Sequence, residues 1–181
     1  MNFEYLTQPP KKWTFEQPKL KAWVESQCFG RVLNLFAGKV RLGCSNETRV
    51  DCSDEFLPDF EMDCREFVEF YKTPKLINSS SHYVAAPNFD TVILDPPYTW
   101  RKAKEKYDGK MIGEYPRLKN ELLSIISKHA RVISLGWDTV GMAHKRGFEK
   151  IAVCVVCHGG DHRDTLCLVE RRAREVDIGS L

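Results

Sequence analysis

Residues 92–98 read Val92-Ile93-Leu94-Asp95-Pro96-Pro97-Tyr98. The apolar run has the composition of a buried central strand. Two prolines cannot continue its ladder, so the strand ends at Asp95. Open α/β sheets build their sites at such carboxyl ends. Freed from the ladder, the Asp95 carboxylate and the Pro96 carbonyl are acceptors for the two hydrogens of an exocyclic amino group. Tyr98 offers a ring on which the base carrying that group can stack. None of this chemistry needs a metal.

The next stretch, 99–110, holds five Lys or Arg in twelve residues, among them Arg101, Lys102, Lys104 and Lys106, with Trp100 and Tyr107 interleaved. Basic groups pair with phosphates and aromatic rings stack on bases, so 99–117 is the expected substrate loop. Lys11-Lys12-Trp13 and Lys19-Leu20-Lys21 add charge. Cys154, Cys157, His158 and His162 invite a zinc reading. Positions three apart on a strand face opposite sides, however, so strand thiols are the expectation and no metal site is assigned.

These residues need elements to hold them. Residues 31–36 read as a first strand closed by Ala37-Gly38, where a small residue and a glycine let backbone approach a ligand closely. Thr48–Val50 read as a second strand ending at Asp51, and 58–62 as a third ending at Asp63. Phe67, Val68, Phe70 and Tyr71 predict a helix from about Cys64. Residues 73–89, with Pro74, Pro87 and three serines, read as loop. Leu118, Leu122, Leu123, Ile125 and Ile126 fit an amphipathic helix. Residues 132–135 read as a strand ended by Gly136, and Asp138 or Thr139 as the cap of a short helix reaching about Lys145. Strands at 148–157 and 164–170 flank the turn 158–161 as an antiparallel hairpin. The charged tail from Arg171 is expected to fray. Residues 1–30 are polar with interleaved aromatics; Leu20, Trp23 and Val24 have helical spacing.

Strands alternating with helices predict a three-layer α/β fold with a mostly parallel sheet, an antiparallel C-terminal hairpin and helices on both faces. A chain of 181 residues suits one domain spanning 1–181. Net charge is only +2, which gives no whole-chain signature of nucleic-acid binding. No apolar run approaches the ~18 residues of a membrane span, and no leader is evident, so a cytoplasmic location is expected. The seven irregularly spaced cysteines are expected to be reduced thiols.

Asp95-Pro96-Pro97-Tyr98, joined to Asn34-Leu35-Phe36-Ala37-Gly38, resembles the paired motifs of the S-adenosylmethionine-dependent amino-methyltransferases of nucleic acids. The chain also resembles small phage and archaeal proteins similar to DNA adenine-N6 methyltransferases. These share the Asn-Leu-Phe-Ala-Gly-Lys turn, Arg49-Val50-Asp51, and the run Gly136-Trp137-Asp138-Thr139-Val140-Gly141-Met142. The resemblance implies a Rossmann-like class I methyltransferase fold with S-adenosylmethionine as cofactor. It implies a catalytic Asp95, Pro96, Pro97 and Tyr98. It places Asn34, Phe36, Ala37 and Gly38 against the methionine part of the cofactor, Asp51 on the ribose, Asp63 on the adenine amino group, and Phe15 as a packing contact from a covering segment within 1–30. Trp100, Arg101, Lys102, Lys104 and Lys106 would hold the nucleic acid. A flipped base would reach Asp95 and stack on Tyr98. A homodimer or a specificity partner is a further expectation.

The chain departs from the family pattern in one place. Residues 39–47 allow no more than about two helical turns between the first two strands, where the family carries a full helix. Either the helix is nearly absent or the second strand lies elsewhere; Lys39 and Arg41 are candidates to replace the helix-terminal amides. Alternatives to a DNA adenine enzyme stay open. One is an RNA methyltransferase acting on guanine N2 or adenine N6. Another is a non-catalytic binding subunit that keeps the fold. Asp95, where a cytosine-N4 enzyme favours Ser, tilts toward adenine.

Overall fold

The computed structural model describes residues 1–73, 75–76, 83–84, 88–97, 115–160 and 162–173. Its strands are β1 Asn2–Thr7, β2 Val32–Asn34, β3 Glu47–Asp51, β4 Phe60–Glu61, β5 Lys75–Leu76, β6 Tyr83–Val84, β7 Phe89–Leu94, β8 Ile126–Gly136, β9 Phe148–Cys157 and β10 Thr165–Arg172. Its α-helices are α1 Pro18–Gln27, α2 Cys64–Lys72 and α3 Tyr115–Glu121.

Eight strands form one sheet in the order β1-β9-β10-β8-β7-β2-β3-β4. Every ladder in it is parallel except the two that β10 makes with β8 and β9. After the edge strand β1 the chain enters the middle of the sheet at β2, winds outward to β4, returns through β7 and β8, and closes with the hairpin. The order reverses between β2 and β7, and a reversal of this kind leaves a crevice beyond the carboxyl ends of those two strands.

Strand alternation sends Leu33, Val50, Val92, Leu94 and Val132 to one face, where Phe67 and Val68 of α2 and Leu118 of α3 cover them. Val32, Ile93, Ile133, Cys154, Cys167 and Val169 go to the other face, under Leu20 and Val24 of α1. Each fully buried side chain of this kind contributes roughly 1.5–3 kcal/mol relative to leaving it exposed. Asp63 starts α2 by accepting the Arg65 N–H at 2.9 Å, a capping role its place before Cys64 suits.

Several expectations are corrected. The segment 73–89 carries a two-stranded sheet, β5 with β6, too short to leave any periodicity in sequence. The helix expected through Ile126 ends earlier: α3 stops at Glu121, Leu122–Ser124 form one 3₁₀ turn, and Ile126 already opens β8. Leu118, Leu122 and Ile125 are all buried, so the apolar pattern is that of a core contact spanning a change of structure. Residues 138–145 form no α-helix; the Asp138 carboxylate accepts the Val140 N–H in a turn, and in this region only His144–Arg146 coil, as 3₁₀. Arg171 and Arg172 extend β10 instead of fraying, with Arg171 paired to Glu149.

The largest correction is β1. Asn2–Thr7, expected to be part of a covering segment, form an edge strand parallel to β9, with Thr7 opposite Cys157. Its apolar residues Phe3 and Tyr5 face solvent at 66% and 55% exposure. Alternation that puts the rings outside hides a strand from any reading that assumes they point in.

Candidate active site

The carboxyl ends of β2, β7 and β8 and the β9–β10 turn open onto one cavity of about 320 Å³. Phe36, Ala37 and Gly38 line it from β2, Asp95, Pro96 and Pro97 from β7, and Trp137 from β8. Phe15, with Trp13 and Lys12 beside it, closes a side. The two motifs well separated in sequence thus share one space. Tyr98, Trp100, Arg101, Lys102, Lys104 and Lys106 lie outside the described residues.

The β2 wall is fixed from below. Leu35 donates to the Ile93 carbonyl at 3.3 Å and Ala37 to the Val50 carbonyl at 3.1 Å. The Gly38 N–H donates to Asp51 Oδ2 at 2.9 Å, and Ser53 N–H to Asp51 Oδ1 at 3.1 Å. Burial pushes the Asp51 carboxyl up, and the Gly38 and Ser53 amides pull it back in part. Arg49 is fully buried; its guanidinium donates to the carbonyls of Gly38, Phe56 and Leu57. Asp51 therefore sits behind the glycine turn with both oxygens engaged by backbone, and is not among the lining residues.

Gly38 has φ +53°, the left-handed region that favours glycine. A side chain there would meet no protein atom closer than Trp13 Cε3 at 3.9 Å. What a side chain would occupy is the cavity itself. That is the cradle a small ligand's polar end requires, and the cavity falls in the range of about 300–1,000 Å³ common to such ligands.

Residues 39–47 contain no helix, and β3 begins where the second strand was expected. Side chains replace the helix. Glu47 accepts from Asn34 Nδ2 at 3.0 Å and from the Leu42 N–H at 3.2 Å. Glu25 of α1 accepts the Gly43 N–H. Asn34 is fully buried under the turn and serves this tether. Lys39 lines the cavity. Asp63 is engaged with Arg65, through its N–H and its Nε, and lies away from the lining.

Three groups beside the site give no sequence signal. Tyr115 is half-buried near Asp95; desolvation, then the Asp95 charge, push its phenol well up. Lys119, buried at 7% exposure, sets its ammonium 4.3 Å over the Tyr115 ring and donates to the Gly141 carbonyl at 2.7 Å. Glu170, fully buried in β10, accepts the N–H groups of Met142 and Ala143. A side chain at Gly141 would lie 2.1 Å from Glu170 Oε2, so only glycine fits. Ala143 is held at φ +66°, a conformation that costs of order 1–3 kcal/mol without such support. Lys119 and Glu170 together fix the loop that leads back to Trp137. A lone Lys on a helix and a lone Glu on a strand read as surface charge, which is why sequence reasoning passes over them.

The N-terminal side of the cavity depends on β1. Gln8 N–H continues its ladder to the Cys157 carbonyl at 3.2 Å, which delivers residues 10–15 across the strand ends. His158 joins the two segments: Nδ1 lies 3.1 Å from the Gln8 carbonyl and Nε2 2.9 Å from Thr165 Oγ1. A carbonyl only accepts, so Nδ1 carries the proton. Cys154 is buried, Cys157 half-buried, and both are free. Among the described residues no group of three His, Cys, Asp or Glu is placed to hold a metal, and no helix is long and apolar enough to cross a membrane.

No protein-family model matches the chain, and no curated protein matches it either. Solved structures do. A Streptococcus mutans protein assigned as an S-adenosylmethionine-dependent methyltransferase is 15% identical with a TM-score of 0.55, over 84% of this chain and 48% of that one. TrmN from Thermus thermophilus is 16% identical with a TM-score of 0.53, over 86% and 49%. The fold is that of the class I methyltransferases. A third similar structure is the 1,6-didemethyltoxoflavin-N1-methyltransferase of Burkholderia thailandensis, with its acceptor and S-adenosylhomocysteine bound, at 13% identity and a TM-score of 0.50 over 84% and 76%. The chain spans about half the length of the first two, 48% and 49%. Within this methyltransferase fold, the glycine turn after β2 and the acid after β7 share the crevice where the sheet order reverses.

Proposed function

We propose that this chain is an S-adenosylmethionine-dependent methyltransferase acting on the exocyclic amino group of a nucleobase, with adenine N6 in DNA the favoured acceptor. The observation that carries the reading is the meeting of Phe36-Ala37-Gly38 and Asp95-Pro96-Pro97 in one cavity. When bound, the cofactor supplies an electrophilic sulfonium methyl. The backbone of 36–38 would hold its methionine part, with Phe15 as an aromatic wall. Asp51 would act through Gly38, by holding its N–H. The expected Asp63 contact with the adenine stays part of the proposal.

An aromatic amino group is a weak nucleophile because its lone pair is spread into the ring. The Asp95 carboxylate and the Pro96 carbonyl accept its two hydrogens and turn the lone pair out of the ring plane. Trp137, and Tyr98 beyond the prolines, stack on the base. Holding two reactants in line is worth up to roughly 7–11 kcal/mol of barrier, and acceptors fixed in advance add no reorganisation cost. A site of this kind needs its base unpaired, which also suits RNA. The tryptophans at the cavity mouth keep an RNA guanine-N2 or adenine-N6 acceptor as the second reading.

The test is methyl incorporation from labelled S-adenosylmethionine into single- and double-stranded DNA and into RNA, followed by nucleoside mass spectrometry. The expected product is N6-methyladenine in DNA, absent with Asp95→Ala. Methylguanine in RNA alone would move the assignment to the second reading. No label in any base, from a protein that binds the cofactor, would leave a binding subunit.

A further inference from the structure

We infer that the mouth of the cavity is a phosphate seat for one unpaired strand, built from two cation–aromatic pairs contributed by opposite ends of the chain. The inference rests on the nucleobase reading above and names the groups that would hold the strand on either side of the reacting base. Arg163, in the β9–β10 turn, sets its guanidinium 4.5 Å from the Trp137 ring centroid. Lys12, in the segment delivered by β1, sets its ammonium 5.3 Å from the Trp13 ring centroid. Both cations are exposed, both tryptophans are half-buried, and all four residues line the cavity that holds Asp95.

Charge is concentrated here. Lys11 and Lys39 also line the cavity, and Asp95 is the single acidic side chain among its described lining residues. The whole chain carries only +2, whereas four cations face one acid among the described lining residues of this mouth. An acidic ligand of any class would be drawn to four cations. The tryptophans narrow the choice. An aromatic face beside a cation serves a ligand that alternates flat rings with phosphates, which is how single-stranded nucleic acid is held without sequence readout. An acidic peptide alternates nothing of the kind. The chain's topology explains why the pairs meet: β1 runs parallel to β9, so residues just after Thr7 and just after Cys157 emerge side by side.

The test is fluorescence anisotropy of a labelled single-stranded oligodeoxynucleotide across a salt series. The proteins are the wild type, the double variant Lys12→Ala/Arg163→Ala, and Lys128→Ala. Lys128 is exposed near the amino end of β8, at the opposite end of the sheet from the cavity. Each phosphate contact on a single strand contributes about 0.7 to the slope of log affinity against log salt. The double variant is expected to lose about tenfold in affinity and about 1.4 in slope, while S-adenosylmethionine binding stays within twofold and Lys128→Ala matches the wild type. A wild type that binds with an unchanged slope in the double variant overturns the seat and leaves the nucleobase reading standing. Displacement of the strand by polyglutamate as effectively as by unlabelled oligonucleotide also overturns it, in favour of an acidic peptide. A wild type that binds neither strand nor duplex removes the nucleobase reading itself, and the seat with it.

Discussion

On one wall of the cavity, Ala37 and Gly38 present backbone, and what fixes that backbone lies beneath it: Asp51 on the Gly38 N–H and buried Arg49 on the Gly38 carbonyl. A second wall, at the cavity mouth, presents the side chains of Trp137, Arg163 and Lys12, and what fixes them is a loop pinned by Glu170 and Lys119 and an edge strand. The supports of the first wall, Asp51 and Arg49, are themselves buried in the core. The second can lose a side chain and keep its fold. Under the proposed function, with a fixed cofactor and a variable acceptor, that is where rigidity and adaptability belong.

The contrast is broken most severely at the point where the walls meet. Asp95→Ala is expected to lower methyl transfer by about 10³-fold or more, equivalent to roughly 4 kcal/mol of transition-state stabilisation, with cofactor affinity nearly unchanged. Single-turnover kinetics with a calorimetric titration beside them measure both, and wild-type turnover in the variant would remove the catalytic role. Arg49→Met strikes the rigid wall. It strands three carbonyls, those of Gly38, Phe56 and Leu57, and should cost about 3 kcal/mol in urea unfolding. A loss under about 1 kcal/mol would mean that the wall is not coupled to the core. Trp137→Ala strikes the adaptable wall, with a loss of about 1–3 kcal/mol in acceptor binding and an unchanged unfolding midpoint; a shifted midpoint would make Trp137 a packing residue. The smallest effect sharpens the picture of the core. Burial pushes the Cys64 and Cys154 thiols up to about 12, so both should stay unlabelled by iodoacetamide in native protein at about pH 8, and react on unfolding.

The same contrast explains what was legible in the sequence. The rigid wall is written locally: a strand run into Ala37-Gly38 and another into Asp95-Pro96-Pro97 each carry their signal within a few residues, as does Asp63 before α2, away from the cavity. The missing helix at 39–47 was legible as a shortage of residues, but not the Glu47 and Glu25 tethers that replace it. The adaptable wall is assembled from long-range contacts. β1 is held by β9, its aromatic face turned outward, and Glu170, Lys119 and Tyr115 find partners only after folding. No periodicity announces such residues.

The most direct measurement is calorimetric titration of S-adenosylmethionine into three proteins: the wild type, Gly38→Val, and Lys12→Ala/Arg163→Ala. A cofactor seated on the backbone wall predicts micromolar binding by the wild type, a loss of at least about tenfold in Gly38→Val, about 1.4 kcal/mol, and no change in the double variant. Wild-type affinity in Gly38→Val, or no binding by the wild type, would contradict the division of the cavity between cofactor and acceptor.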